Sequence, residues 1–369
     1  MKDIYLSFSL FFLIISCQSN LPDDNIKGVI YQLADSVIIK EGDLRYVDQN
    51  ESKVLFYNTG SFSIYTYDRE SDTLYAFNKF GNGPENYNLI YNNISLYKEH
   101  LIMVGQINKV LIFDILGNFI EAIPITDQRT RSPLLTPKEV SDYIYFINSP
   151  QGNFSNPDFY KNNYKVLLKY SLNKKDVTEF GHFPSSIGDY QNGKHFYLYS
   201  GLFFLEIDEE FVYLMSKNEG ILQKYTHEGQ LVNEFDLSLE RFKPYPINFS
   251  KQLNEEEMDF VTYQNSTIQN ISVVEDLIFV CYSDPYSLDE LQRFKSDHPD
   301  FHGFDKPPLK YVLAIFDKSG ERIHKDTIVP EKFGKFLYSR NSSLFFQKQN
   351  FEGEEDVTIL YQVKIKEEE

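Results

Sequence analysis

The chain of 369 residues has no tryptophan, four methionines and only two cysteines, Cys17 and Cys281. Two thiols are too few for a disulfide framework, so stability has to come from packing. Basic residues are also scarce: 36 Lys and Arg stand against 54 Asp and Glu, leaving a net charge of −18 and a pI near 4.9. That balance repels a phosphate backbone, and no Lys/Arg cluster overrides it locally, which excludes nucleic acid as a partner. An anionic lipid surface is disfavoured on the same ground. Long apolar runs are missing too. The best, within Ile4–Ile15, is about a dozen residues, or ~18 Å of helix against a hydrocarbon core of ~30 Å. No Gly-x-Ser-x-Gly elbow, Walker loop or His-Glu-x-x-His occurs, and no cofactor is expected. Without tryptophan the case for sugar stacking is weaker, although tyrosine offers a comparable face.

What the N-terminus does have is one lysine, the apolar block and then Ile14-Ile15-Ser16-Cys17. An aliphatic residue and a small residue before cysteine resemble the bacterial lipobox, which implies cleavage before Cys17 and its acylation. Residues 1–16 are then a lipoprotein signal peptide, 17–27 an acidic tether containing "LPDDN", and 28–369 the folded domain. Membrane attachment would rest on the acyl chains alone, and Cys281 would be the remaining thiol.

Tyrosine (27) and phenylalanine (32) are abundant and alternate with polar residues, as in half-buried strands. A repeat recurs: a strand ending in an aromatic residue, a short polar turn, and a second strand. "VLIFDILGNFIEAI", "LQKYTHEGQLVNEF" and "VLAIFDKSGERIHK" align without gaps around Phe113, Tyr225 and Phe316, with Gly117, Gly229 and Gly320 at one turn position. Weaker copies centre on Tyr67, Tyr170 and Tyr361. Each hairpin follows another apolar segment, such as "KEHLIMVG" or "VEDLIFVCYS", so each unit supplies about four strands. Six anchors predict an all-β, six-bladed β-propeller. Seven blades also fit the length, and a pair of β-sandwiches is the alternative architecture. The segment "VIYQLADSVIIKEGDLRYVD" can donate a strand to the last blade and close the ring.

The long interval between Tyr225 and Phe316 predicts helical insertions in the fifth-blade region, 239–309, decorating one mouth of the ring. Asn254 can cap a helix over "NEEEMDFVTYQ". In "SLDELQRFKSDHP", Ser287 and Glu290 form a capping box, Leu288, Leu291 and Phe294 share a face, and Pro299 follows the end.

"FGNGPENY" combines Gly81, Gly83 and Pro84 in a tight connection between blades. The run Phe80-Gly81-Asn82-Gly83-Pro84-Glu85-Asn86-Tyr87 resembles the Gly-x-Gly-Pro-Gly-Glu-Tyr/Phe signature of six-bladed β-propeller lipoproteins of the Bacteroidota, related to TolB-like and NHL-like propellers. The resemblance implies an outer-membrane lipoprotein, periplasmic or surface-exposed, with a structural loop that can also face a ligand. This chain departs from the signature at Glu85 and Asn86.

"SDHPDFHGFD" brings His298, His302 and Asp305 close together as candidate metal ligands, with a polar loop after a helix as the plainer reading. No local catalytic set is present. A rigid repeat scaffold with variable insertions predicts a binding or interaction module for a glycan, peptide or envelope protein. The alternative is an envelope lyase or hydrolase whose residues converge on the central funnel from several blades, a pattern that spacing does not reveal.

Overall fold

The computed structural model describes residues 29–87, 94–97, 99–106, 109–124, 135–140, 142–148, 165–184, 203–244, 261–297, 307–340, 343–348 and 357–367. After β1 (Val29–Ile39), blade 1 is β2 (Leu44–Gln49), β3 (Lys53–Asn58), β4 (Ser63–Asp68) and β5 (Thr73–Phe77). Blade 2 is β6 (Ile94–Tyr97), β7 (His100–Gln106), β8 (Lys109–Asp114) and β9 (Phe119–Pro124). Blade 3 is β10 (Leu135–Val140), β11 (Tyr143–Ile147), β12 (Leu167–Ser171) and β13 (Val177–Phe180). Blade 4 is β14 (Phe203–Ile207), β15 (Phe211–Ser216), β16 (Ile221–Thr226) and β17 (Leu231–Asp236). Blade 5 is β18 (Ile268–Val274), β19 (Leu277–Asp284), β20 (Lys310–Asp317) and β21 (Arg322–Ile328). Blade 6 is β22 (Lys335–Arg340), β23 (Ser343–Gln347) and β24 (Thr358–Glu367), with β1 as its outermost strand.

These are six four-stranded antiparallel sheets, so the six-bladed reading holds and the seven-bladed and sandwich alternatives fall. All six anchors lie on third strands: Tyr67 on β4, Phe113 on β8, Tyr170 on β12, Tyr225 on β16, Phe316 on β20 and Tyr361 on β24. The ring closes as the N-terminal segment suggested, by β1 pairing antiparallel with β24 from Val29↔Glu367 to Ile39↔Thr358.

The core is divided among the six blade interfaces, one apolar cluster to each. On β15, Val212 and Leu214 pack toward blade 3, while Tyr213 and Met215 pack toward blade 5. On β19, Ile278, Val280 and Tyr282 face blade 4, and Phe279 and Cys281 face blade 6. Strands buried on both faces need apolar residues at every position, which is why these segments read as continuous runs. Cys281 is fully buried and its thiol pKa is pushed up to about 12, chiefly by desolvation, so it is chemically inert.

The three glycine turns share one geometry. The carbonyls of Asp114, Thr226 and Asp317 accept the amides of Gly117, Gly229 and Gly320 at 3.0, 2.9 and 3.0 Å. Their side-chain oxygens accept amides across the turn, as Asp317 Oδ1 does from Ser319 and Glu321 at 2.8 and 2.9 Å. The glycines have φ of 84°, 87° and 85°, the left-handed region expected for this hairpin. A second cause adds to this. A Cβ on Gly229 would stand 2.8 Å from Phe180, and Gly117 and Gly320 meet Phe77 and Phe235 likewise. Each of these aromatics lies on the outermost strand of the preceding blade, so the glycine is a socket that locks neighbouring blades. Gly229→Ala should therefore cost about 2–4 kcal/mol in urea denaturation, combining left-handed strain with overpacking. Lys175 occupies the corresponding turn of blade 3 at φ 57°, and Lys175→Gly should be neutral or stabilising.

Antiparallel alternation places the starts of all first strands, the second-to-third-strand turns and the blade-to-blade connections on one face of the ring, and the hairpins with the socket glycines on the other. The two described helical elements of the 239–309 region lie on the first of these faces. A helical turn at 261–264 lies between β17 and β18, and α1 (Leu288–Asp297) lies between β19 and β20. The α1 capping box is present: Ser287 Oγ accepts the Glu290 amide at 3.2 Å, and Glu290 Oε2 accepts the Ser287 amide at 2.8 Å. The Lys310 ammonium at 2.6 Å and these donors pull the Glu290 carboxyl down to about 2. Leu291 is buried and Phe294 packs with Tyr263, Tyr286 and Leu309. Leu288, expected on the same face, is instead 50% exposed. The helix proposed from Asn254 and the residue Pro299 lie outside the described residues, apart from its last turn at 261–264.

Candidate functional site: the axial channel

Successive first strands pack side by side, β2 on β6, β6 on β10, β10 on β14, β14 on β18 and β18 on β22. They enclose a cavity of about 370 Å³ whose wall includes Tyr46, Asp48, Lys138, Glu206, Gln269 and Lys335. It meets a wider mouth of about 640 Å³ on the hairpin face, where Glu51 and Glu99 join Asp48, Lys138 and Glu206.

At that mouth Lys138 Nζ lies 3.0 Å from Asp48 Oδ1 and 3.6 Å from Glu206 Oε1. Asp48 Oδ2 also accepts the amide of Leu96 at 3.0 Å. Side chains of blades 1, 3 and 4 and the backbone of blade 2 thus meet at one buried ionic knot. Burial alone would lower the Lys138 pKa, but the Asp48 and Glu206 charges outweigh it and the ammonium is held protonated. The Glu206 carboxyl goes up, first through desolvation and then through Asp48, with Lys138 opposing. Beside the knot Tyr46 stacks on Tyr338 with centroids 5.5 Å apart, and Tyr338 on Phe345 at 4.5 Å. The Arg69 guanidinium lies 5.7 Å from both Tyr338 and Phe345 rings and donates to Gln49 Oε1 at 2.8 Å.

The other end of the cavity, on the insertion-bearing face, is cationic. Lys335 opens β22, Lys217 sits in the β15–β16 turn, and Arg45 lies near the start of β2. The Lys335 side chain is open to channel water yet ringed by protein, and desolvation, then Arg45, lowers its pKa against the opposing pull of Cys281. Lys217 is lowered by desolvation and then by the Lys335 charge. Between them β18 and β22 are zipped by Asn270 Nδ2 donating to the Leu337 carbonyl and by Ser272 and Ser339 hydroxyls 3.1 Å apart.

The residues singled out by sequence lie elsewhere. The "FGNGPENY" loop follows β5, the outer strand of blade 1, and closes on itself: Gly81 N donates to Tyr87 O at 2.9 Å and Asn86 N to Gly83 O at 3.1 Å. Tyr87 is fully buried, its hydroxyl donating to the Phe62 carbonyl at 2.9 Å. Pro84 and Glu85 face solvent. None of Gly81, Gly83, Pro84, Glu85 and Tyr87 lines the cavity. Cys17, His298, His302 and Asp305 lie outside the described residues, and among the described residues no group of three or more His, Cys, Asp or Glu is placed to hold a metal ion. The channel residues Asp48, Lys138, Glu206, Lys217 and Lys335 were missed. Four of them are charged residues within short first strands ("LRYVDQ", "LTPKEV", "FFLEI", "KFLYSR"), a signal visible only once the blades are aligned from their first strand.

Six closed sheets around a polar axial channel define a six-bladed β-propeller. Among solved structures, the chain is similar in fold to a member of the DUF4221 family from Bacteroides vulgatus, with a TM-score of 0.68, 11% identity, and 93% of this chain and 99% of that one covered. It is also similar to a protein of Bacteroides fragilis assigned as exported, with a TM-score of 0.51, 14% identity, and 94% and 98% covered. No protein-family model and no curated protein matches the sequence.

Proposed function

We propose that this chain is an exported, lipid-anchored propeller that binds a polar ligand of the cell envelope, a glycan, peptide or envelope protein, at the axial channel. The observation that carries the reading is the channel itself: a cavity of about 370 Å³, within the range of small-ligand sites, with Asp48, Lys138, Glu206, Lys217, Gln269 and Lys335 among its lining residues and a wider mouth on the hairpin face. Export and anchoring rest on Ile14-Ile15-Ser16-Cys17, with the exported B. fragilis structure as support from fold alone. Cys17→Ser should move the protein from the membrane to the soluble envelope fraction and leave the signal peptide unprocessed; normal processing with retained membrane association overturns the anchor.

The second reading is a hydrolase or lyase, favoured by the raised Glu206 carboxyl beside Asp48, a pairing of the kind general acid chemistry uses. No histidine is among the described cavity-lining residues, and both carboxylates are engaged by Lys138, which favours holding over turning over. Calorimetry and product analysis of envelope glycan and peptide fragments with wild type and Glu206→Gln separate the two. Binding without product in either protein supports the module, whereas product formed by wild type and lost in Glu206→Gln supports the enzyme.

A further inference from the structure

The electrostatics of the channel run against those of the chain. Acidic residues outnumber basic ones by 54 to 36, and most interior lysines are neutralised or shelved on rings. Lys138 is held by Asp48 and Glu206, Lys53 by Glu99 at 2.8 Å, and Lys318 by Asp208 at 2.8 Å. Lys169 and Lys224 lie 3.7 and 3.8 Å from the ring centroids of Tyr143 and Phe211. Lys217 and Lys335 are different: among the described residues neither has a carboxylate within ion-pair distance, although both line the same cavity.

Their placement is fixed by the backbone. The Lys217 carbonyl accepts the amide of Ile268 at 2.8 Å, which seats the residue beside the first position of β18. Lys335 is the first residue of β22, the first strand next to β18 on its other side. Between them lie Gln269 and Asn270. Gln269 Nε2 is committed to Thr267 Oγ1 at 2.6 Å, and Asn270 Nδ2 to the Leu337 carbonyl. Among the described residues, the two ammonium groups therefore supply charged donors with no carboxylate partner at this end of the channel, and Arg45 adds a third cation nearby. Like charges facing one cavity, with no carboxylate among the described residues to offset them, cost free energy, a cost that persists where a ligand offsets it.

We propose that the insertion-bearing end of the channel is an oxyanion site, in which Lys217 and Lys335 bind the phosphate, sulfate or carboxylate group of the ligand across β18. The proposal deepens the binding reading above and rests on it. Uptake of the anion favours both protonated amines, so affinity falls as pH rises through their lowered pKa values; Arg45 and Cys281 are the other titratable groups acting on Lys335, and Lys335 itself acts on Lys217.

The test is thermal denaturation and calorimetry of the full chain with sodium phosphate, sulfate, citrate and glucuronate, at ionic strength matched with chloride. About 10 mM loads any site with Kd below about 1 mM. At least one of these should raise the wild-type Tm by about 2 °C or more. Lys217→Met and Lys335→Met should each weaken that anion about tenfold, the double variant should abolish the shift, and Lys366→Met, at an exposed position of β24, should leave it intact. Lys217→Gln and Lys335→Gln serve as second substitutions should a Met variant lose its cooperative transition. Which anion acts distinguishes a phosphorylated, sulfated or acidic-sugar ligand. A double variant that responds as wild type does, or a wild type unmoved by all four anions, overturns the proposal. Binding of a neutral glycan or peptide in the channel in that second case leaves the binding reading standing and removes only the oxyanion assignment.

Discussion

Removing β1 should cost the propeller most of its stability. The strand pairs with β24 along its length, buries Val29 against the blade 5–6 interface and Ile39 against the blade 6–1 interface, and sets Tyr31 edge-on to Phe346 at 6.2 Å. The Tyr31 hydroxyl also donates to the Thr327 carbonyl in blade 5 at 3.3 Å. The side chains of Val29, Tyr31 and Ile39, at about 1.5–3 kcal/mol each, amount to about 5–9 kcal/mol before any ladder hydrogen bond is added. A typical domain has only about 5–15 kcal/mol in all. A chain beginning at Glu41 should therefore lose its cooperative urea transition, or shift its midpoint far down, while a chain beginning at Gly28 keeps the full-length midpoint. A peptide of residues 29–39 added in trans should restore part of the loss, because the exposed edge of β24 is its template. An unchanged midpoint in the chain beginning at Glu41 would show that blade 6 needs no closing strand.

The parts of this fold that could be read in advance are those whose constraints are local. Third strands carry an aromatic anchor and feed a turn whose glycine must adopt positive φ, so Phe113 with Gly117 and Phe316 with Gly320 announce themselves. Second strands are buried on both faces and appear as unbroken apolar runs. The capping box of α1 is equally local, with Ser287 and Glu290 three residues apart. First strands escaped notice because they are short and half polar, and the residues that explain their polarity lie in other blades. Asp48 makes sense only with Lys138 and Glu206 in view, and Lys217 only with Lys335. The same holds for the sockets: positive φ was legible at Gly229, but Phe180 filling the space of its missing Cβ was not. Leu288 shows the converse, since its helical face is set by Tyr263 and Leu309, which packed Leu291 inward and left Leu288 outside.

The ionic knot gives the second large effect, and its sign depends on how much of the knot is removed. Asp48 is 5% exposed and holds both Lys138 Nζ and the Leu96 amide. Asp48→Ala leaves that amide unpaired and Lys138 with only Glu206 at 3.6 Å. Breaking one side of a buried pair costs about 3–5 kcal/mol, because the surviving charge keeps its desolvation penalty, whereas replacing all charged members by apolar groups of similar volume is often close to neutral. Asp48→Ala should thus lower the urea midpoint strongly, and the triple variant Asp48→Leu, Lys138→Met, Glu206→Met should recover most of the loss. Glu206→Gln is expected to behave in a third way. A carboxyl whose folded pKa is raised contributes stability that is present below its unfolded value near 4.5 and is lost as pH rises through the folded value. Glu206→Gln removes that loss, so the variant should gain on wild type as pH rises above the unfolded carboxyl value while differing little at acid pH. Midpoints measured across that rise decide the matter: a triple variant as unstable as Asp48→Ala, or a Glu206→Gln curve parallel to wild type, would show that the three side chains do not act as one charge network at the centre of the ring.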